Sequence, residues 1–144
     1  MTNPQEFEHA LMRLDPNEPD FVQRVDELVA GVPESVHSAL IEPIFRFFEA
    51  HPLSDAGAPG TLVHLTEQFY PTYKDRLLES LRNRPSHNAI LMTNRILNSR
   101  LSHEDRSAYM SALDDVSERN GLPASLQSLV DGFLKRRRTL DAQS

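Results

Sequence analysis

Apolar positions recur through most of this chain every three or four residues, and short polar or proline-rich breaks divide the pattern into about eight stretches. The first predicted helix covers residues 4–14, with Phe7, Ala10, Leu11 and Leu14 on one stripe. Asn3 is placed to cap it, with Pro4 at the first helical position and Glu6 reaching back. Asp15-Pro16-Asn17-Glu18-Pro19 reads as a turn, because two prolines stop helix propagation. A second helix over 18–30 turns Phe21, Val22, Val25, Leu28 and Val29 inward and ends at Gly31. The third starts at Pro33 with Val36, Ala39, Leu40, Pro43, Ile44 and Phe47. A second row of Ile41, Phe45 and Phe48 predicts burial on more than one side, hence a central helix, and Pro43 predicts a kink near 39–43.

Residues 51–60, rich in proline, glycine and small side chains, read as the main loop. A fourth helix is expected over 61–69, and a fifth after Pro71, pointing Tyr73, Leu77, Leu78 and Leu81 inward. The apolar run Ala89-Ile90-Leu91-Met92 with Ile96-Leu97 predicts a buried sixth helix over 86–99. Ser102 caps a seventh, with Asp105 three residues on; its stripe is Tyr109, Met110, Leu113 and Val116. The eighth begins at Pro123 with Leu126, Leu129, Val130, Phe133 and Leu134 on one face, and its last six residues are expected to fray. Nothing alternates with a period of two.

One turn occurs twice. Gly31-Val32-Pro33-Glu34-Ser35-Val36 returns as Gly121-Leu122-Pro123-Ala124-Ser125-Leu126. Glycine past one helix, proline just inside the next and a serine in the first turn for backbone hydrogen bonds are the punctuation of a helix–turn–helix joint. The expected fold is all-α: one domain over 1–144, with about eight short helices in antiparallel pairs as a HEAT-like or irregular helical bundle.

The 144 residues suffice for a sizeable core. No apolar run approaches the ~20 residues of a membrane span, and the first residues lack the basic-then-apolar pattern of a signal peptide. With no cysteine, thiolate metal sites, disulfides and a cysteine nucleophile are excluded, which permits a reduced compartment such as the cytoplasm and equally the outside of cells. The net charge of −6 is unevenly spread: residues 1–70 carry twelve acids against Arg13, Arg24 and Arg46, whereas 71–144 carry twelve bases against nine acids. An acidic half repels phosphates, disfavours nucleic acid and would steer a basic partner.

No segment carries a strong catalytic motif. Among six histidines, His64 with Glu67 sits at a spacing that could share a helix face, but two ligands hold a metal poorly, so no metal or cofactor is expected. There is no nucleophile elbow and no phosphate-cradling glycine loop. The neighbouring acids Asp26-Glu27, Glu104-Asp105 and Asp114-Asp115 point in different directions on a helix. Lys135-Arg136-Arg137-Arg138 lacks interleaved aromatics, so phosphate binding there would be weak. Asn94 and Asn98, one turn apart on the otherwise apolar sixth helix, are expected to tie it to a neighbouring inter-helix turn; the alternative is a polar patch at a partner surface.

The segment Ala89-Ile90-Leu91-Met92-Thr93-Asn94-Arg95-Ile96-Leu97-Asn98-Ser99, the helix from His103 and the Gly121-Leu122-Pro123-Ala124-Ser125-Leu126 joint resemble bacterial immunity proteins of polymorphic toxin systems, over roughly residues 85–135. That resemblance implies a cytoplasmic, non-catalytic inhibitor with HEAT-like packing that occludes a cognate secreted toxin. Where the toxin is a nuclease with a basic active-site cleft, the acids to occupy it would be Asp20, Asp26, Glu27, Glu34, Glu42, Glu49 and Glu67. Two other readings are a HEAT-like scaffold or adaptor that binds another protein, and a small hydrolase using His64 with Glu67. The oligomeric state is not legible.

Overall fold

The computed structural model describes residues 3–57 and 60–143, and among them it is all-helical, without a strand. The order is α1 (Pro4–Met12), α2 (Phe21–Ala30), a 3-10 segment (Glu34–Leu40), α3 (Ile41–Ala50), α4 (Thr61–Glu67), α5 (Lys74–Asn83), α6 (His87–Leu97), α7 (His103–Ser117) and α8 (Ala124–Ala142). The predicted caps form. Asn3 accepts from the Glu6 amide at 2.8 Å and donates to the Glu6 carboxylate at 2.7 Å, and Ser102 accepts from the Asp105 amide at 3.0 Å. These satisfy amide donors that a helix start leaves without intrahelical partners.

α3 is central, as its two apolar rows require. It packs against α1, the 3-10 segment, α4, α5 and α6, and buries Ile44, Phe45, Phe47 and Phe48. Phe47 stacks on Phe21 of α2 at 5.8 Å, and Phe45 meets Phe48 edge-on at 6.3 Å. α6 is the second hub, packed against α3, α5, α7 and α8. α2 is peripheral: it packs chiefly on α1 and α4 and buries only Phe21 and Val25.

Four expectations are corrected. Pro43 kinks no helix; it lies in the first turn of α3, where its missing N–H has no intrahelical partner to lose, and the break falls where the 3-10 segment ends at Leu40. Pro33 and Pro123 occupy the cap position with extended ψ of 142° and 143°, one residue before the helical turns. The two joints also differ at their glycines: Gly31 is right-handed at φ −79° and Gly121 left-handed at φ 76°. Neither Ser35 nor Ser125 has a side-chain hydrogen bond among the described residues, and α8 continues through Ala142 rather than fraying from residue 139.

Ala58 and Pro59 of the expected main loop lie outside the described residues. The preceding stretch is held to α6: the His87 amide donates to the Pro52 carbonyl at 2.7 Å, and the Asn88 side chain donates to the Ser54 carbonyl at 3.4 Å. No helix among the described residues is long and apolar enough to cross a membrane.

Candidate functional site

The seven acids singled out from the sequence meet different fates. Glu42, Glu49 and Glu67 are claimed inside the fold. Arg76 of α5 reaches across to α3 and donates through Nε to Glu42 at 2.7 Å, and through both terminal nitrogens to Glu49 at 2.9 and 3.1 Å. Its guanidinium also lies 5.1 Å from the centre of the Phe45 ring. Glu49 is only 11% exposed. Burial alone would push its carboxyl up, but the hydrogen bonds and positive charge of Arg76 outweigh that and hold it below the ordinary value. Arg95 of α6 makes a matching fork on Glu67 at 2.6 and 3.0 Å. A planar guanidinium engaging both oxygens of a carboxylate is the strong form of this pair. In the same way Arg46 grips Glu8 at 2.6 and 2.9 Å and lowers its pKa, first through that hydrogen bond.

The acids on and beside α2 are not spent in this way. Asp20 pairs with Arg24 one turn on, at 2.7 Å, and both are about half exposed. Among the described residues, the Glu27 side chain accepts only from the neutral Gln23 side chain at 3.2 Å, and that of Asp26 only from the Thr61 hydroxyl. Glu34 is exposed, and neither it nor Glu18 makes an ion pair among the described residues. Val22, which the sequence pattern turned inward, is 48% exposed. The loop reaches it at Gly57, where φ is +72° and a Cβ would stand 2.7 Å from Val22 Cγ2, so Val22 props the loop instead of entering the core.

A hollow of about 560 Å³ runs along this helix between α1 and α2. Ala10, Leu14 and Leu28 supply its apolar lining, while Asp20, Glu27, Arg13 and Arg24 supply its charges. A second hollow of about 290 Å³ shares Arg13, Leu14, Asp20 and Arg24 with it and adds Asp15 and Glu18. Together they form an open, charged trough.

Asn94 and Asn98 hold a helix, not an inter-helix turn. Arg137 of α8 is 7% exposed and donates to Asn98 Oδ1 at 2.6 Å, Asn94 Oδ1 at 3.1 Å and the Leu97 carbonyl at 3.3 Å. Arg106 of α7 joins at the same helix end, donating to the carbonyls of Leu97 and Ser99 at 3.3 and 3.4 Å. Two cations thus complement the negative end of α6. Arg137 has only neutral acceptors, and burial, reinforced by the nearby charges of Arg106 and Arg136, lowers its pKa against the opposing pull of Asp141. Its place was legible: Leu126, Val130, Leu134 and Arg137 share the core-facing row of α8. The basic run is therefore no single patch, because Arg137 is buried and Arg138 pairs with Asp114.

The His64–Glu67 pairing does not form. His64 is exposed, and Arg95 occupies both oxygens of Glu67. No group of three or more metal-ligating side chains gathers among the described residues. The sequence reading missed that all three tyrosines of the chain converge. Tyr70 and Tyr109 share a hydrogen bond at 3.0 Å and Tyr70 meets Tyr73 at 5.6 Å, beside a Lys74–Asp105 pair at 2.6 Å. Burial raises the Tyr73 and Tyr109 hydroxyls, which makes the group a polar lock between the α4–α5 turn and α7. Comparison of this chain with models of known protein families, with curated proteins and with solved structures finds no match.

Proposed function

We propose that this chain is an immunity protein: a non-catalytic, cytoplasmic inhibitor that binds a cognate secreted toxin and blocks its active site. The observation that carries the reading is the trough beside α2, where Asp15, Glu18 and Glu27 are exposed and make no ion pair among the described residues. Exposed acids of this kind accelerate encounter with a basic surface, and close charge pairs across an inhibitor interface couple by ~1.5–7 kcal/mol. A nuclease cleft, built to hold phosphates, is the basic surface that best fits them. The acids to test are Asp20 and Glu27, which line the trough, and Asp26 and Glu34, which are exposed outside its lining; Glu42, Glu49 and Glu67 are bridged to Arg76 and Arg95. A HEAT-like adaptor for some other protein would use the same trough and differs only in its partner.

The test is co-expression with a secreted toxin domain encoded beside this gene. Protection and a stable complex are expected, with protection lost in the variant carrying Asp26→Lys and Glu27→Lys. If no toxin is encoded nearby, or if cells lacking this protein resist that toxin fully, the immunity reading is wrong.

A further inference from the structure

Among the described residues four large apolar side chains are exposed: Met12, Val22, Leu53 and Leu140. Two of them lie on helix rows of opposite charge. On α2, Val22, Asp26 and Ala30 follow one another at intervals of four residues, and all three are exposed. On α8, Leu140, Arg136 and Gly132 follow one another at the same interval in the reverse direction, and all three are exposed. Rows at this interval form the ridges by which helices pack, and each advances about 6 Å per step.

We infer that these rows are the two sides of a contact between copies of this chain, in which α2 of one molecule lies antiparallel to the end of α8 of another. In that register Val22 meets Leu140, Asp26 meets Arg136, and Ala30 meets Gly132. The apolar pair excludes water beside the charged one. The small pair lets the backbones approach: a Cβ built on Gly132 meets nothing within 4 Å, so its space is open to a neighbour. Arg136 makes no ion pair among the described residues, and Asp26 is held only by the Thr61 hydroxyl. Within one molecule the rows belong to different neighbourhoods, with α2 packed chiefly on α1 and α4, and α8 on α6 and α7.

The contact joins two different surfaces, so it extends as a chain when used once per pair and closes a dimer when used twice. It does not depend on the identity of any toxin. It does cover Asp26, so self-association and binding through that part of α2 would compete. One short helix pair is a small interface and belongs to the weak, transient class.

The test is sedimentation equilibrium of the full chain at low ionic strength over a wide concentration range. The expected result is an average mass that rises with concentration and falls back towards the monomer in high salt. Asp26→Arg alone, or Arg136→Asp alone, should weaken association by about tenfold, because each places like charges together. The double variant should regain it by restoring the pair in reverse. Gly132→Leu should block association by keeping the backbones apart. Circular dichroism identifies any variant that loses its fold. A wild-type protein that stays monomeric throughout overturns the inference. So does association that is indifferent to the single substitutions, or that the double variant fails to restore.

Discussion

The acids of α2 and those of α3 and α4 are alike in the sequence and opposite in the structure. Glu42 and Glu49 on α3 and Glu67 on α4 each meet an arginine planted on α5 or α6, whereas Asp26 and Glu27 of α2 meet only a hydroxyl and an amide. The difference is one of neighbours. α3 lies within reach of several helices, so its charges are drawn into bridges that lock the layers together. α2 touches the rest of the fold along a narrow stripe, so its charges face outward. An acidic half of a sequence is therefore not an acidic surface; only the part without cationic neighbours is available to a partner.

The largest effect should come from breaking the inner set. Arg76→Met leaves Glu49 largely buried without its counter-ion and should cost about 3 kcal/mol, read as a lowered urea midpoint with an unchanged slope. The same bridge sets a pH dependence. The folded-state pKa values of Glu49 and Glu8 lie below their unfolded values, so the stability they contribute is complete above the ordinary glutamate value near 4.5 and is lost as pH falls through the depressed values. Denaturant midpoints measured from neutral to acid pH should fall in wild type, and more gently in Arg76→Met. A smaller effect is expected at the other buried arginine. Arg137→Met strands no carboxylate, only carbonyl and amide oxygens at a helix end, and should cost about 1 kcal/mol. Smallest for stability are Asp26→Asn and Glu27→Gln, each within about 0.5 kcal/mol by thermal melting. A cost of 2 kcal/mol or more at either would erase the distinction between the two sets.

Much of the helical order is written in the apolar spacing and in the caps at Asn3 and Ser102, because both act over three or four residues. The central place of α3 followed from its two apolar rows. The 3-10 form of Glu34–Leu40 did not, since Val36, Ala39 and Leu40 stand at the three- and four-residue spacing of an α-helix. Val22 was misplaced because a row on the flank of an amphipathic helix enters the core only if a neighbour covers it, and Val22, with Gly57 of the loop against it, stays 48% exposed. Arg76 reaches Glu49 across 27 residues of chain, a pairing that depends on how α3 and α5 pack and leaves no local trace. The proposed docking surface was half legible: the acids could be named, but not which of them the fold would consume.

The division between spent and available acids bears most directly on association. For the proposed immunity function, the decisive measurement is the association rate with a candidate toxin domain, as a function of ionic strength. Wild type is compared with Glu67→Gln and with the variant carrying Asp26→Lys and Glu27→Lys. Wild type and Glu67→Gln should associate fast at low salt and slow together as salt rises, while the α2 variant is slower by about tenfold at low salt and nearly flat. An α2 variant that follows the wild-type curve would contradict the assignment of α2 as the docking surface.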